Sequence, residues 1–379
     1  MPASTLDFSG GNLSLSRPGK AASLRAWDAA DGLLLTEAVA RITPSEMQRV
    51  LVVDDQFGAL TLGLSAFGPD AVADSAVLPV ALVDNARRNP ELPPPVAVRS
   101  WLNPPEGPYH AIVLRIPRHS DYLAWLLRWV NGVLADDGLL LAGGMIKHLP
   151  DRSVDVFAQA VQTEEVCPAR KKARVIVCRP GTASLADWSG AWKGYALDQS
   201  ELTVQALPAV FAREKLDIGT RLFLPHVRES VSVLSAGDRV LDLACGNGVV
   251  GLAALTERED LELTFSDVSS QAVASAQRNL SEAFPSARVQ CLHADGIDAG
   301  AGQFERILLN PPFHEGGVVG DHIALRLFAQ AKKHLSPTGR LLMVGNRHLG
   351  YHRSLRTFFP VVRQLDANPK FVVLEAAFR

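Results

Sequence analysis

Two short stretches hold the residue types that could do chemistry. In "RILLNPPFHEGG" an apolar run, Ile307, Leu308 and Leu309, has the character of a buried strand and stops at Asn310-Pro311-Pro312-Phe313. Two prolines remove two backbone donors and hold the chain extended, so the strand ends abruptly in a stiffened amide followed by an aromatic ring. In "DLACGNGVVG" a second strand runs into Gly246, Gly248 and Gly251. Glycines there permit a tight turn and let a ligand approach backbone N–H groups at a helix start.

The glycine spacing is G-x-G-x-x-G and Asp267 ends the next strand, as in a dinucleotide fold. Two features favour S-adenosylmethionine (SAM) instead. Asp242 lies inside the strand end, where an anion repels a pyrophosphate but suits the positive amino-acid end of SAM. A dinucleotide enzyme also has no use for Asn-Pro-Pro-Phe after its fourth strand. Asp267 can accept hydrogen bonds from ribose hydroxyls. Asp295, in "HADG" after the third strand, can accept from the adenine amino group.

The elements that must position these residues are legible as a repeat. "RVLVVDDQFGALTLGLS" (49–65) has the shape of "RVLDLACGNGVVGLAAL" (239–255), and Arg88-Asn89 closes the next helix as Arg278-Asn279 does. "YHAIVLRIPR" (109–118) matches "FERILLNPPF", and "DDGLLLAGG" matches "PTGRLLMVG". Four landmarks in one order at nearly constant separation indicate a duplicated βα domain. Alternating apolar and helical runs predict a mostly parallel sheet covered on both faces. In the second copy the strands fall near 239–243, 262–266, 288–292, 304–309, 340–345 and 371–376, with Ser269 or Ser270 capping a helix. The expected domains are 1–185 and 195–379, joined through the Pro/Gly/Ser/Ala-rich stretch "RPGTASLADWSGAWKG".

Composition sets the class. A chain of 379 residues with 47% hydrophobic residues can fill two cores. Its net charge of -2 means that any nucleic-acid binding needs a local basic patch. The four cysteines are scattered without a CxxC pair, as in a reduced, cytoplasmic protein, and the start lacks the pattern of a signal peptide. Apolar runs are too short to span a bilayer. No HExxH, Cys/His cluster or EF-hand pattern is present, so no metal is expected, and no G-x-S-x-G elbow appears.

"DLACGNGVVG", "ADG" and above all "NPPFH" resemble the SAM-dependent methyltransferases that modify exocyclic amines. The lead-in "FAREKLDIGTRLFLPHV", "NRHLGYHRSLRTFF", the ending "PKFVVLEAAFR" and the duplication resemble the bacterial rRNA guanine-N2 methyltransferases, nearer to the large-subunit (23S) enzymes than to their small-subunit siblings. The resemblance implies an α/β fold of two tandem Rossmann-like class I methyltransferase domains, the first degenerate. It implies a monomer acting on ribosomal RNA, with SAM as cofactor.

Asn310, Pro311, Pro312 and Phe313 are then the catalytic candidates. Asp242, Ala244, Gly246, Gly248, Asp267, Asp295, Gly296 and Asn310 are the cofactor-binding ones. A base's exocyclic amine is a poor nucleophile, and its two N–H bonds need two fixed acceptors to turn the lone pair toward the methyl. The Asn310 side-chain oxygen and the Pro311 carbonyl can be those acceptors, with Phe313 as a stacking face. The methylated cation is strongly acidic, so no dedicated general base is expected.

In the first copy Val52 and Gln56 stand where Asp242 and Gly246 do, and "RIPR" replaces "NPPF". That domain is expected to contact RNA or to be structural. RNA-contact candidates are Arg170, Lys171, Lys172 and Arg174 there. In the second copy they are His314 and the run Arg347, His348, His352, Arg353 and Arg356, interleaved with Tyr351 and Phe358, on whose rings bases could stack. A solvated helix face would look similar. Two other functions fit the motifs less well: a protein-glutamine methyltransferase, whose family usually carries Tyr at the Phe313 position, and a non-catalytic RNA-binding assembly factor.

Overall fold

The computed structural model describes the chain except residues 1–2, 19–23, 44–47, 150–151, 198–201, 313, 316–317 and 320–321. It divides into two units, Met1–Ala191 and Trp192–Arg379. Each is built on a seven-stranded sheet.

In the first unit, helix α1 (Ala29–Arg41) precedes strand β1 (Val50–Val53), and the short helix α2 (Ala59–Gly63) follows it. The other strands of its sheet are β2 (Asp70–Val72), β3 (Val98–Arg99), β4 (Tyr109–Arg115), β5 (Leu134–Met145), β6 (Gln162–Val166) and β7 (Ala173–Arg179). The sheet order is β3-β2-β1-β4-β5-β7-β6.

The second unit repeats the plan. Helix α3 (Ile218–Ser232) precedes β8 (Arg239–Leu243), α4 (Val249–Glu257), β9 (Glu262–Asp267) and α5 (Ser270–Ala283). Strands β10 (Arg288–His293) and β11 (Phe304–Leu309), helix α6 (His322–His334), and strands β12 (Leu335–Asn346), β13 (Val361–Ala367) and β14 (Phe371–Ala377) follow, and with β8 and β9 these strands make up its seven-stranded sheet. The order is β10-β9-β8-β11-β12-β14-β13, with β14 antiparallel to both of its neighbours.

Central strands carry near-continuous apolar runs because helices cover both faces: Val240, Leu241 and Leu243 of β8 and Ile307, Leu308 and Leu309 of β11 are buried. One core forms between the sheet and α3–α4, around Phe223, Val227, Leu252 and Phe265. The other lies on the face covered by α6, around Phe304, Leu327 and Phe328.

Strand β8 sits where the order reverses, with β9 on one side and β11 on the other. Ligands of open α/β sheets bind in the crevice beyond the carboxyl ends of strands at such a reversal. Parallel register aligns Leu243 with Ser266 and with Leu309, so the loops after β8, β9 and β11 leave the sheet at one edge.

Two sequence expectations need correction. Strand β13 was not foreseen; it is an edge strand, and its exposed centre at Arg363, Gln364 and Leu365 carries no apolar run. Arg88-Asn89 and Arg278-Asn279 are not equivalent closures either. The former lies beyond a helix ending at Ala86, whereas the latter lies within α5.

Candidate active site

Each glycine of the loop after β8 has a separate cause. Gly246 turns with φ +55°, and a Cβ there would meet nothing within 4 Å, so that side of the turn is open. Gly248 is the left-handed N-cap of α4 at φ +81°. A Cβ on Gly251 would lie 2.1 Å from the Phe265 ring, so only glycine lets α4 approach β9. Ala244 also adopts a left-handed conformation, φ +59°, which for a non-glycine residue marks a tightly specified turn.

The amides of Gly246, Gly248, Val249 and Gly251 are satisfied internally. Asp267 Oδ2 accepts from Gly246 N at 2.8 Å and its Oδ1 from Ser269 N at 2.9 Å. Asn247 Oδ1 accepts from Val249 N, the Cys245 carbonyl accepts from Gly248 N, and Asp242 Oδ2 accepts from Gly251 N at 2.8 Å. The expectation that the loop offers these N–H groups to a ligand is therefore corrected. A pyrophosphate would find carboxylates where it needs donors.

Asp242 is 2% exposed, and burial pushes its carboxyl up to about 8, opposed by the Gly251 hydrogen bond and reinforced by the nearby Asp267 charge. An ammonium group brought to such a carboxyl would favour its ionised form. The open turn at Gly246 and this buried carboxyl beneath it fit the amino-acid end of SAM.

Asp295 follows β10. Arg326 of α6 holds it twice, from Nη2 to Oδ1 at 2.6 Å and from Nη1 to its carbonyl at 3.0 Å. Gly296 turns at φ +97°, and its carbonyl accepts from Ser266 Oγ at 2.7 Å. A Cβ on Gly296 would lie 2.0 Å from Gln330 Oε1, so α6 and the loop close on each other there.

Asn310 leaves the end of β11 half-buried, followed by buried Pro311 and exposed Pro312. Its Nδ2 donates to Thr220 Oγ1 of α3 at 3.0 Å. Phe313 lies outside the described residues. His314 opens a two-residue strand, His314–Glu315, paired antiparallel with Val318–Val319. The carboxyl edge of the sheet thus carries Asp242, Gly246, Asp267 and Asn310 at or just beyond the ends of three adjacent strands.

Sequence reasoning missed Thr220, Arg326, Asn279 and Gln330. Asn279 Nδ2 donates to the Asn247 and Gln205 carbonyls, and its Oδ1 accepts from Gln205 N, tying the glycine loop to the strand Thr203–Ala206. In the first copy Asn85, not Asn89, holds the matching loop carbonyl, that of Phe57.

The candidate RNA residues divide. Arg347, His348, His352, Arg353 and Arg356 are exposed, and Arg347 Nη1 donates to the Asn368 carbonyl. Tyr351 is not a stacking platform: it is 1% exposed and packs edge-on against Phe328, with ring centroids 5.7 Å apart. Phe358 also contacts Phe328, at 6.2 Å, and is half-buried. These rings answer to the core, which sequence spacing alone cannot separate from a surface ladder. In the first copy Arg170, Lys171 and Lys172 are exposed on the turn between β6 and β7, and Arg174 is half-buried. Lys171 and Lys172 both adopt positive φ, 48° and 62°.

A methyltransferase small domain model matches residues 201–375, and an RLMG N-terminal domain model matches residues 3–182. The ribosomal RNA large subunit methyltransferase G of Pseudomonas entomophila (strain L48) is 39% identical over 362 residues, 93% of each chain. That of Alcanivorax borkumensis is 39% identical over 360 residues, 93% of this chain and 90% of the relative.

The chain belongs to the ribosomal RNA large subunit methyltransferase G family.

As a member of this family it is a SAM-dependent rRNA methyltransferase with two class I domains in tandem. The tandem arrangement recurs in the solved structure of the T. thermophilus 16S rRNA N2 G1207 methyltransferase (RsmC) in complex with AdoMet and guanosine. That structure is 22% identical, with TM-score 0.78, over 100% of this chain and 98% of that one. Among the described residues no group of three or more His, Cys, Asp or Glu is placed to hold a metal, and no helix is long and apolar enough to cross a membrane.

Proposed function

We propose that this chain methylates the exocyclic N2 amine of one guanine in 23S rRNA, in the cytoplasm. The observation that carries this reading is the register of β8 on β11. Asp242 and Asn310 stand at the carboxyl ends of adjacent strands, so a cofactor over the glycine loop and an amine at Asn310 share one crevice. Asp242, Ala244, Gly246 and Gly248 would hold the amino-acid end of SAM; Asp267 would take the ribose, and Asp295 with Gly296 the adenine. Bound SAM supplies an electrophilic methyl group on a sulfonium, which needs no acid to leave.

The chain's own residues then have one task, which is to orient the amine. The Asn310 side-chain oxygen accepts one N–H and the Pro311 carbonyl the other. Pro311 and Pro312 stiffen that carbonyl, and Phe313 offers its ring to the base. With both N–H bonds held, the nitrogen lone pair is turned out of the ring plane toward the methyl.

The first domain serves as an RNA anchor in this reading, with the exposed turn Arg170, Lys171 and Lys172 as its phosphate contacts. Arg347, His348 and Arg353 supply cations in the second. The test incubates the enzyme and labelled SAM with separated rRNAs from a strain lacking the activity, followed by nucleoside mass spectrometry. Label is expected in 23S rRNA as N2-methylguanosine. Label in another nucleoside, or in 16S rRNA alone, overturns the assignment.

A further inference from the structure

An asparagine amide has an accepting end and a donating end, and only the former suits an incoming amine. The residue that decides which end faces the crevice comes from a distant part of the chain. Asp217 is the N-cap of α3, and its Oδ2 accepts from Thr220 N at 3.0 Å and, at a longer 3.4 Å, from Thr220 Oγ1. Thr220 is 3% exposed, and its hydroxyl lies 3.0 Å from Asn310 Nδ2.

A hydroxyl carries one proton, and an ionised carboxylate can only accept. With that proton directed to Asp217, Thr220 Oγ1 has only lone pairs to offer Asn310. It therefore selects Nδ2, the donating end of the amide, and Oδ1 is turned away as the end left for a substrate N–H. We propose that Thr220, backed by Asp217, is a positioning residue that fixes the polarity of the Asn310 amide for catalysis. This rests on the reading of Asn310 as an amine acceptor.

The first copy shows that the slot is a built feature, not an accident of one side chain. There the N-cap Asp28, the residue three positions later, Asp31, and the residue ending β4, Arg115, occupy the same three places. Arg115 Nη2 lies 2.6 Å from Asp28 and its Nε 2.9 Å from Asp31. Both copies thus tie the helix start to the end of the fourth strand. Only the second makes the tie through a neutral pair, Thr220 and Asn310, that leaves an acceptor over.

The test uses full-length Thr220→Val, which is isosteric and lacks the acceptor, and Thr220→Ser, which keeps it. The readouts are single-turnover methyl transfer at saturating SAM and rRNA, the rRNA concentration at half-maximal rate, SAM affinity by calorimetry, and melting temperature. Thr220→Val is expected to lower the transfer rate roughly 10–100-fold, since small misorientation of a reacting group is that costly. SAM affinity and half-saturating rRNA should stay within about twofold, and Thr220→Ser should recover most of the rate.

A normal rate in Thr220→Val overturns the proposal. So does a loss that follows SAM affinity, which would make Thr220 a cofactor contact. If Thr220→Val does not fold, Asp217→Asn decides. Asparagine still caps the helix, but its amide can donate to Thr220 and reverse the chain of hydrogen bonds. A slower transfer at unchanged SAM affinity supports the relay, and an unchanged rate overturns it. Loss of activity in Asn310→Asp with the relay variants unaffected would leave the Asn310 reading standing and remove this one.

Discussion

The loop after β1 and the loop after β8 begin at the same point of the same fold and end in opposite conditions. In each, the residue after the strand is left-handed: Asp54 at φ 55° and Ala244 at φ 59°. In each, a buried carboxylate caps the third amide of the following helix. In the second copy that carboxylate is Asp242 of the strand, on Gly251 N. In the first it is Asp55 of the loop, whose Oδ2 takes Thr61 N at 2.9 Å and Thr61 Oγ1 at 2.8 Å while Oδ1 takes Gly58 N at 3.1 Å. Gln56 and Phe57 then fill the positions of Gly246 and Asn247. The backbone demand is constant, but the first loop meets it with side chains that occupy the turn, and the second meets it from beneath and leaves the turn open.

The far side of each crevice differs in the same sense. Arg115 is 5% exposed and neutralised by buried Asp31 and by half-exposed Asp28, a charged cluster that holds structure. Asn310 keeps an uncharged amide at the matching place. These pairs of positions separate what the fold needs from what the chemistry needs.

The sharpest way to break that distinction is to remove both residues in turn. Asn310→Ala should reduce single-turnover methyl transfer by roughly 10²–10³-fold, the scale of losing one preorganised partner of a reacting group. Calorimetry should find its SAM affinity reduced far less than its transfer rate. Arg115→Ala should do the reverse. It leaves Asp31 buried without its cation, and loss of one partner of such a pair costs about 3–5 kcal/mol in denaturant unfolding. Adding Asp31→Ala should recover part of that loss, while transfer per folded molecule stays normal throughout. Near-normal turnover in Asn310→Ala would remove the clamp mechanism.

Asp242 sharpens the comparison through pH. Its folded value of about 8 lies above the ordinary 3.8 of an unfolded chain. The native state therefore holds a proton that the unfolded state releases, and this group's contribution to stability falls as pH rises from about 4 to about 8. Asp242→Asn retains an acceptor for Gly251 N without the charge. It should flatten that slope in melting scans without SAM and melt no lower than the parent at pH 8. It should also weaken SAM at pH 7 by about 1–3 kcal/mol, the range for losing a charged partner. Unchanged affinity would leave Asp242 a structural cap like Asp55.

The smallest effect concerns the first domain's surface. Replacing Arg170, Lys171 and Lys172 together by Ala should reduce rRNA affinity severalfold at low salt and flatten its salt dependence, because fewer counterions are released. Melting temperature should hardly change. Equal salt slopes for parent and variant would take the anchor away from this turn.

The sequence disclosed the parts of the fold that repeat locally. Apolar runs such as 304–309 and the Ser269 cap were legible because their causes lie within a few residues, and Ser269 Oγ accepts from Ala272 N. Edge strand β13 was not, since exposure erases the apolar signal. In the site, the glycines announced themselves through the turn they permit. Thr220 did not, because its partner Asn310 is ninety positions away in the chain. The Asp217 cap before α3 was the one local signal that could have drawn attention there. Tyr351 and Phe358 misled because an aromatic spaced among cations looks the same whether it faces water or Phe328.

The difference in capping carboxyl between Asp55 and Asp242 also constrains how either loop can be altered one residue at a time. A first-copy loop restored by Val52→Asp alone would bring two carboxyls to the single Thr61 amide, and buried like charges cannot both stay ionised there. Removing Asp55 first would strand that amide and the Thr61 hydroxyl without their acceptor. Each single step back therefore leaves the loop with a poorer cap than it has now. Which residue closes that one hydrogen bond keeps the two loops distinct.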